Sequence, residues 1–348
     1  MPFRLPRLAL AVALTLLASL TGCAPLGPAQ GTIALLLPES KTTRYEAVDR
    51  PVFEHRVKEL GSYRLLYSNA DQDAAKQQAQ AEAALASGVE VLVLDPVDAE
   101  AAVSIVSAAN AQGVPVIAYD RLPAGGRLAY YVSFDNERIG ELQGEAFAKA
   151  VEETPGDTGV LMVNGSPTDP NAIQFRQGAE SRIDEAGLTV LASFDTPDWS
   201  PDQAQNWVAA QITRFGPRIV GIYAANDGTA GGAIAALKAA NVAPMPVVSG
   251  QDAELAGIQH IVAGDQYLTI YKAMRKQAEL AAEAAVALVN GDPVSADSEV
   301  DGTPATILPA EVVTKDTILS TVVADGVYSI DQICTPDYAA ACARAGIE

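Results

Sequence analysis

Polar and charged side chains stand directly after most of the apolar runs in this 348-residue chain. The runs occupy residues 32–37, 91–94, 114–118, 130–134, 159–163, 219–224, 246–248 and 267–271. The groups that follow them include Lys41, Arg44, Tyr45, Asp120, Arg121, Asp135, Asn136, Asn164, Asp169, Asn171, Asn226, Asp227, Gln251, Asp252 and Lys272. Carboxylates accept hydrogen bonds, guanidinium and ammonium groups donate them, and a hydroxyl does both. The mixture therefore suits a neutral ligand rich in hydroxyl groups.

Some of these residues have a simpler explanation as helix caps. Asp and Asn are usual N-cap residues, and Asp95 and Asp98 are interpreted only as caps and turns. Cations oppose the dipole at a helix N-terminus, so capping does not explain Arg44, Arg121 or Lys272. Hydrogen bonds to charged groups contribute about 1.5–3 kcal/mol each, and four or five could supply the roughly 8 kcal/mol of micromolar affinity.

Two aromatic residues fall in the same loops. Tyr45 follows the first apolar run, and Trp199 precedes Ser200 and Pro201, which mark the start of a helix. Only 6% of the chain is aromatic, so one aromatic in each of these loops suggests a surface for the apolar C–H face of a ring. The alternative for Trp199 is packing between domains.

The elements that must position these residues alternate between strand and helix. Continuous Val, Ile, Leu and Ala runs are typical of strands buried on both faces. The segments between them, such as 74–87 and 201–215, have helical composition and caps. This alternation predicts α/β parallel sheets flanked by helices, with ligands beyond the carboxyl ends of the strands. Segments 130–134, 267–271 and 306–309 are candidate crossings between two lobes.

The N-terminus has the pattern of an export signal. Arg4 and Arg7 precede an uncharged apolar stretch shorter than the roughly 20 residues that span a membrane. Small residues then lead to Cys23, which resembles a bacterial lipobox and implies cleavage and lipid attachment there; an ordinary signal peptide is the alternative. Residues 1–22 are thus interpreted as the signal and 23–30 as a tether. Near the other end, Cys334 and Cys342 are expected to form a disulfide in an oxidising compartment, with two unpaired thiols as the alternative.

Composition and charge exclude several classes of protein. The chain is 49% hydrophobic and 19% charged, which is typical of a folded protein rather than a disordered one. Its formal net charge is −20, which argues against binding to nucleic acid phosphates. At this length, about two domains are expected.

The motifs, taken in order, resemble those of the periplasmic sugar-binding proteins of ABC importers, the type I, ribose-binding-like superfamily, and are nearest to its D-xylose-binding members. The segments that carry the resemblance are Val116–Arg121, Ser133–Glu137, Gly165–Pro167 with Asn171, Asn226–Ile234, Ser249–Glu254 and Thr269–Lys272. The resemblance covers nearly all of residues 31–330. It implies two Rossmann-like lobes joined by a three-segment hinge.

The resemblance also implies a lobe assignment and a set of ligand-binding residues. The N-terminal lobe would comprise 31–133 and 270–304, the C-terminal lobe 134–269 and 305–330, and the tail 331–348. The residues expected to bind ligand by hydrogen bonds are Arg44, Asp120, Arg121, Asn171, Asn226, Asp252 and Lys272. Tyr45 and Trp199 would sandwich the sugar ring, although the family usually has Trp where this chain has Tyr45.

The expected function is the delivery of a monosaccharide, D-xylose as first choice, to an ABC permease and its ATPase. The protein is expected to be a lipid-anchored monomer on the extracytoplasmic side of the membrane. A sugar receptor for signalling, specific for glucose, galactose or arabinose, and a glycoside hydrolase remain alternatives. No cofactor or metal is expected, because His55 and His260 are the only histidines and catalytic motifs such as G-x-S-x-G are lacking. A lactose-type repressor is excluded, because a signal and tether stand where its DNA-binding domain would be.

Overall fold

The computed structural model describes Met1 and residues 30–151 and 158–347. The proposed signal peptide, tether and Cys23 therefore lie outside the described residues, apart from Met1 and Gln30. The strands are β1 (Thr32–Leu37), β2 (Arg64–Asn69), β3 (Val91–Leu94), β4 (Val116–Tyr119), β5 (Tyr130–Phe134), β6 (Gly159–Asn164), β7 (Val190–Asp195), β8 (Ile219–Ala224), β9 (Val247–Val248), β10 (Leu268–Lys272), β11 (Ser298–Val300), β12 (Thr303–Leu308) and β13 (Ala310–Thr314). The helices are α1 (Arg50–Leu60), α2 (Ala74–Ala86), α3 (Ala102–Ala111), α4 (Asn136–Val151), α5 (Pro170–Glu185), α6 (Pro201–Phe215), α7 (Asp227–Ala239), α8 (Leu255–Ala263), α9 (Met274–Asn290), α10 (Ile330–Ile333) and α11 (Ala339–Ala345).

The first lobe is built on a seven-stranded sheet in the order β11-β12-β5-β4-β3-β1-β2. Every pairing is parallel except the one between β11 and β12. Alternate residues of β1 point to opposite faces, as a strand requires. Ile33 and Leu35 join the core under α1 and α9, whereas Ala34 and Leu36 join the core under α2 and α3. This is why the run reads as continuously apolar.

The second lobe repeats the plan with a four-stranded parallel sheet, β7-β6-β8-β9. Val160 and Met162 face the core with α4 and α5, while Leu161 and Val163 face α6 and α7. Strands β10 and β13 form an antiparallel pair beside this sheet. The amide of Tyr267, just before β10, donates a 2.8 Å hydrogen bond to the carbonyl of Val248 in β9. The α/β fold expected from the sequence is therefore confirmed.

The chain passes between the lobes three times, but two crossings differ from the sequence-based boundaries. The third was expected after residue 304, yet Thr303–Leu308 pairs in parallel with β5 and belongs to the first lobe. The second was expected before residue 270, yet β10 pairs with β13 in the second lobe. Strands β10 and β12 each end at a crossing, so their positions in the sequence do not show which lobe they belong to. Their hydrogen-bonding partners do. The crossings follow Phe134, Lys272 and Leu308.

Residues 331–347 of the C-terminal tail pack as part of the second lobe. Cys334 and Cys342 are bonded to each other, with Cα atoms 5.9 Å apart. Cys342 and Ile333 pack in a core with Ile258 and Val313. The disulfide thus links α10 to α11 and fixes both against α8. Among the described residues, no helix is long and apolar enough to cross a membrane.

Candidate functional site

One cavity between the two lobes is lined by all nine residues that the resemblance implies as ligand-binding. They are Arg44, Tyr45, Asp120, Arg121, Asn171, Trp199, Asn226, Asp252 and Lys272, and none is more than 8% exposed. The first lobe supplies the first four and the second lobe the other five. Most lie just beyond the carboxyl ends of strands, where parallel sheets bind ligands.

Arg44 is held by a buried network within the first lobe. Its Nη2 lies 2.7 Å and its Nε 3.0 Å from the two carboxylate oxygens of Asp49, the two-pronged geometry that fixes a guanidinium. A second bond joins Nη2 to Gln277 Oε1 at 2.7 Å, and Nη1 lies 3.3 Å from Asp120 Oδ1. Burial alone would raise the pKa of Asp120, but the charges of Arg44, Lys272 and Arg121 lower it to about 2. Asp120 is therefore an ionised acceptor.

Arg121 joins the two lobes. Its Nε lies 2.9 Å from Asp169 Oδ2 of the second lobe and 3.6 Å from Asp95 Oδ1 of its own lobe. Its Nη1 donates to the carbonyl of Pro96 at 3.2 Å. Asp95 was expected to act as a cap or turn, and this is wrong: its side chain is fully buried and compensates the charge of Arg121. The side chain of Asp98, by contrast, does stabilise a turn, because it accepts a bond from the amide of Ala101 just before α3.

The cavity's two asparagines reach it in different ways. Asn171 Nδ2 donates to the carbonyl of Asp120 across the lobe boundary at 3.2 Å. Asn226 is the N-cap of α7, where its Oδ1 accepts from the amide of Thr229 at 2.9 Å. The cap uses Oδ1, so the Nδ2 of Asn226 remains the group that would donate to a ligand. The capping and binding interpretations of this residue are thus compatible.

Lys272 and Asp252 form an ion pair in the second lobe. Lys272 Nζ lies 2.8 Å from Asp252 Oδ1, and both side chains are buried. The ammonium group also lies 5.4 Å from the ring centres of Phe134 and Phe175. Asp252 has a φ of 92°, in the left-handed region that non-glycine residues rarely occupy. The pair therefore places a fixed donor and a fixed acceptor side by side in the cavity wall.

The two aromatic residues are fastened at their polar ends. Trp199 Nε1 donates to Asp169 Oδ2 at 3.0 Å, and its ring packs on Gly165, where an added Cβ would lie only 2.1 Å from it. The hydroxyl of Tyr45 donates to Asp120 Oδ2 at 3.3 Å and accepts from Arg121 Nη2 at 3.2 Å. The hydroxyl of Tyr45, which a tryptophan would lack, is thus part of the polar network.

Four further residues line the cavity that the sequence analysis did not propose as ligand-binding: Thr42, Asp169, Phe175 and Gln251. Asp169 appeared among the polar groups at strand ends, but its position before Pro170 indicates an ordinary N-cap. It does cap α5 by accepting from the amide of Asn171 at 2.8 Å, and it also holds Arg121 and Trp199. Burial raises the pKa of Asp169, and the charge of Arg121 opposes that rise. Phe175 lies inside α5 and gave no sequence signal.

Several contacts join the lobes around the cavity. Besides the bonds of Arg121 and Asn171, the amide of Thr43 donates to Glu254 Oε1 at 3.0 Å. At the surface, Lys41 Nζ lies 3.8 Å from Asp198 Oδ2. The lobes are therefore closed on the site. In the part of the chain that the structure describes, no cluster of His, Cys, Asp and Glu is arranged to hold a metal ion.

Two lobes that close on a buried polar cavity define a binding protein with a hinge. A family model described as "Periplasmic binding protein domain" matches residues 33–293. The D-xylose-binding periplasmic protein of Escherichia coli K12 is 33% identical over 309 residues, covering 86% of this chain and 92% of that protein. The multiple sugar-binding periplasmic receptor ChvE of Rhizobium radiobacter is 28% identical, covering 90% and 98%.

Solved structures agree with these relatives. A solute-binding protein of an ABC transporter from Clostridium phytofermentans, with bound β-D-glucose, superimposes with a TM-score of 0.79 at 26% identity, covering 87% of this chain and 99% of that one. A carbohydrate transporter solute-binding protein from Chloroflexus aurantiacus, in complex with D-glucose, gives 0.77 at 27%, covering 86% and 97%. The chain belongs to the periplasmic binding protein family. This confirms the predicted type I fold and the prediction that the protein is not an enzyme.

Proposed function

We propose that the protein binds a monosaccharide between its lobes and delivers it to an ABC importer, with D-xylose as the first candidate. The observation that carries the proposal is the convergence of nine predicted residues on one buried interlobe cavity. Two arginines and a lysine donate, two aspartates accept, and two asparagines can do either. The names of the relatives, D-xylose-binding in two bacteria, support the choice of sugar.

D-glucose is the second candidate. It is the ligand named for two solved neighbours that are 26% and 27% identical to this chain. D-glucose differs from D-xylose by one hydroxymethyl group, so a cavity closed around the pentose would exclude the hexose by overlap. Calorimetric titration with D-xylose, D-glucose, D-galactose, L-arabinose and D-ribose tests this choice. We expect a dissociation constant in the micromolar range or lower for one of the first two sugars. If none of the five binds, the monosaccharide proposal is wrong.

The role of the cavity is tested by Asp252→Asn, which removes one charged acceptor from the wall. Asp265→Asn is a matched control, because Asp265 also pairs with a lysine of the second lobe, Lys238, but away from the cavity. We expect the first variant to lose at least tenfold in sugar affinity, since bonds to charged groups contribute about 1.5–3 kcal/mol. The control should bind like the wild type. Equal affinity in all three proteins would contradict the assignment of Asp252.

We further propose that the mature protein is a monomer anchored by lipid at Cys23 and that closed lobes are what the permease recognises. Mass spectrometry of the mature N-terminus and release of a Cys23→Ala variant from membranes test the anchor. A wild-type protein that keeps residues 1–22 and is recovered in the soluble fraction would refute the lipid anchor. Sugar uptake by cells that lack the gene tests transport. Normal uptake in those cells would favour the alternative, a receptor for signalling.

A further inference from the structure

Glu254 lies at the boundary between the lobes, immediately before α8. Its side chain is 7% exposed. Its Oε1 accepts the 3.0 Å bond from the amide of Thr43, which belongs to the first lobe. Its own amide donates to Asp227 Oδ2 at 2.8 Å within the second lobe. The carboxylate is therefore anchored in one lobe and touches the other only through the closed interface.

The surroundings of Glu254 are mostly acidic. Charged or titratable groups that influence it or share its interlobe space are Glu39 and Arg44 of the first lobe, Asp227, Asp252, Tyr271, Lys272, Asp325 and Tyr328 of the second, and Arg275 at the start of α9. Lys272 is paired with Asp252, and Arg44 with Asp49 and Asp120. Across residues 30–151 and 158–347, no cation lies within ion-pair distance of the Glu254 carboxylate.

We propose that closure of the lobes on the ligand is coupled to the uptake of a proton by Glu254, so that the ligand binds more tightly as the pH falls below neutrality. The inference rests on the proposed function, because it requires a sugar that closes the lobes. It assigns a regulatory role to a residue that does not line the ligand cavity.

The direction of the coupling follows from the two environments of the carboxyl group. In the closed form, burial and then the charge of Asp252 raise the pKa of Glu254 from 4.5 to about 7, although the bond from Thr43 opposes the rise. In the open form, Thr43 and Glu39 would move away and water would reach the carboxylate, which relieves the burial that raises its pKa most; Asp252 stays beside it in the second lobe, so 4.5 is the lower limit for the open form. Closure therefore favours the protonated form. The protonated carboxyl keeps a carbonyl oxygen that accepts the bond from Thr43, so the interface survives protonation.

The size of the effect follows from linkage between proton binding and closure. With pKa values of about 7 closed and 4.5 open, sugar affinity should be about tenfold higher at pH 6 than at pH 8. At pH 7, each sugar bound should take up about half a proton. The advantage of the closed form is present at low pH and is lost as the pH rises through about 7.

The test is calorimetric titration of wild type and Glu254→Gln with D-xylose and D-glucose between pH 5.5 and 8.5. Glutamine is neutral at every pH and keeps an acceptor for Thr43, so it represents the protonated state. Because glutamine represents the fully protonated state at every pH, the same pKa values predict that the variant binds up to about 300-fold more tightly than wild type at pH 8 and up to about tenfold more tightly at pH 5.5. Titrations at pH 7 in buffers with different ionisation enthalpies should show about half a proton less taken up by the variant.

Two controls isolate Glu254. Asp95 and Asp169, whose pKa values are also raised, are present in both proteins and cancel in the difference between their pH curves. His260→Asn removes a histidine that pairs with Asp265 inside the second lobe, and it should keep the wild-type pH dependence. Parallel pH curves for wild type and Glu254→Gln would overturn proton coupling while leaving sugar binding intact. No binding of any sugar at any pH would instead refute the proposed function together with this inference.

Discussion

Replacing Asp169 by Asn should weaken sugar binding far more than it weakens the fold. Asp169 holds Arg121 of the opposite lobe through Oδ2 at 2.9 Å, and both side chains are at most 3% exposed. It also fixes Trp199 Nε1 and caps α5. Asparagine retains an acceptor oxygen for these neutral bonds but removes the negative charge that faces the guanidinium.

The magnitude comes from the buried ion pair. Removing one partner of such a pair costs about 3–5 kcal/mol, because the other charge is left buried without compensation. Asp95, 3.6 Å from the same Nε, still compensates part of the charge on Arg121, so we take the lower end of that range. A loss of about 3 kcal/mol corresponds to roughly 100-fold weaker binding. Since Arg121 and Asp169 belong to different lobes, the loss falls on the closed form.

The assay is calorimetric titration with the preferred sugar, together with thermal unfolding of the ligand-free protein. Asp198→Asn is the matched control, because Asp198 forms an ion pair between the lobes that is exposed, 3.8 Å from Lys41. Exposed pairs contribute about 0–1 kcal/mol, so this variant should lose less than about fivefold in affinity. If Asp169→Asn binds as tightly as the control, the buried pair does not stabilise closure. If it unfolds the ligand-free protein instead, Asp169 is a structural residue of its own lobe.

Three further outcomes follow from the structure. In a Trp207→Phe variant, sugar should quench or shift the fluorescence of Trp199 in the cavity wall; an unchanged spectrum at saturation would place Trp199 away from the ligand. Replacing both Cys334 and Cys342 by Ser should lower the free energy of unfolding by about 2–3 kcal/mol in chemical denaturation, because a short closed loop is released; a large loss of sugar affinity would contradict this local role. Gly140→Ala should destabilise the second lobe by about 1–3 kcal/mol, since the added Cβ would lie 2.1 Å from a backbone oxygen of α5. An unchanged melting temperature would show that α4 and α5 can move apart at no cost in stability.

The sequence was most informative where a residue type that does not cap helices follows a predicted strand. Arg44, Arg121 and Lys272 stood out because cations do not cap helix N-termini, and the structure places all three in the cavity wall. Asp95 and Asp169 resembled ordinary caps, and the same local pattern concealed their pairing with Arg121. A helix cap can be predicted from adjacent residues in the sequence. The pairing of Asp95 and Asp169 with Arg121 cannot, because the guanidinium comes from a distant segment.

The sequence by itself determined most of the strands of the two lobe sheets, several of the helices and the polar chemistry of the cavity wall. Those depend on apolar runs, local caps and the chemistry of single side chains. Only the tertiary structure decided which lobe holds β10 and β12, because strand partners, and not strand residues, set that assignment. It also decided that Glu254 meets Thr43 between the lobes. The two residues are 211 positions apart, and closure of the lobes, which no local pattern encodes, brings them together.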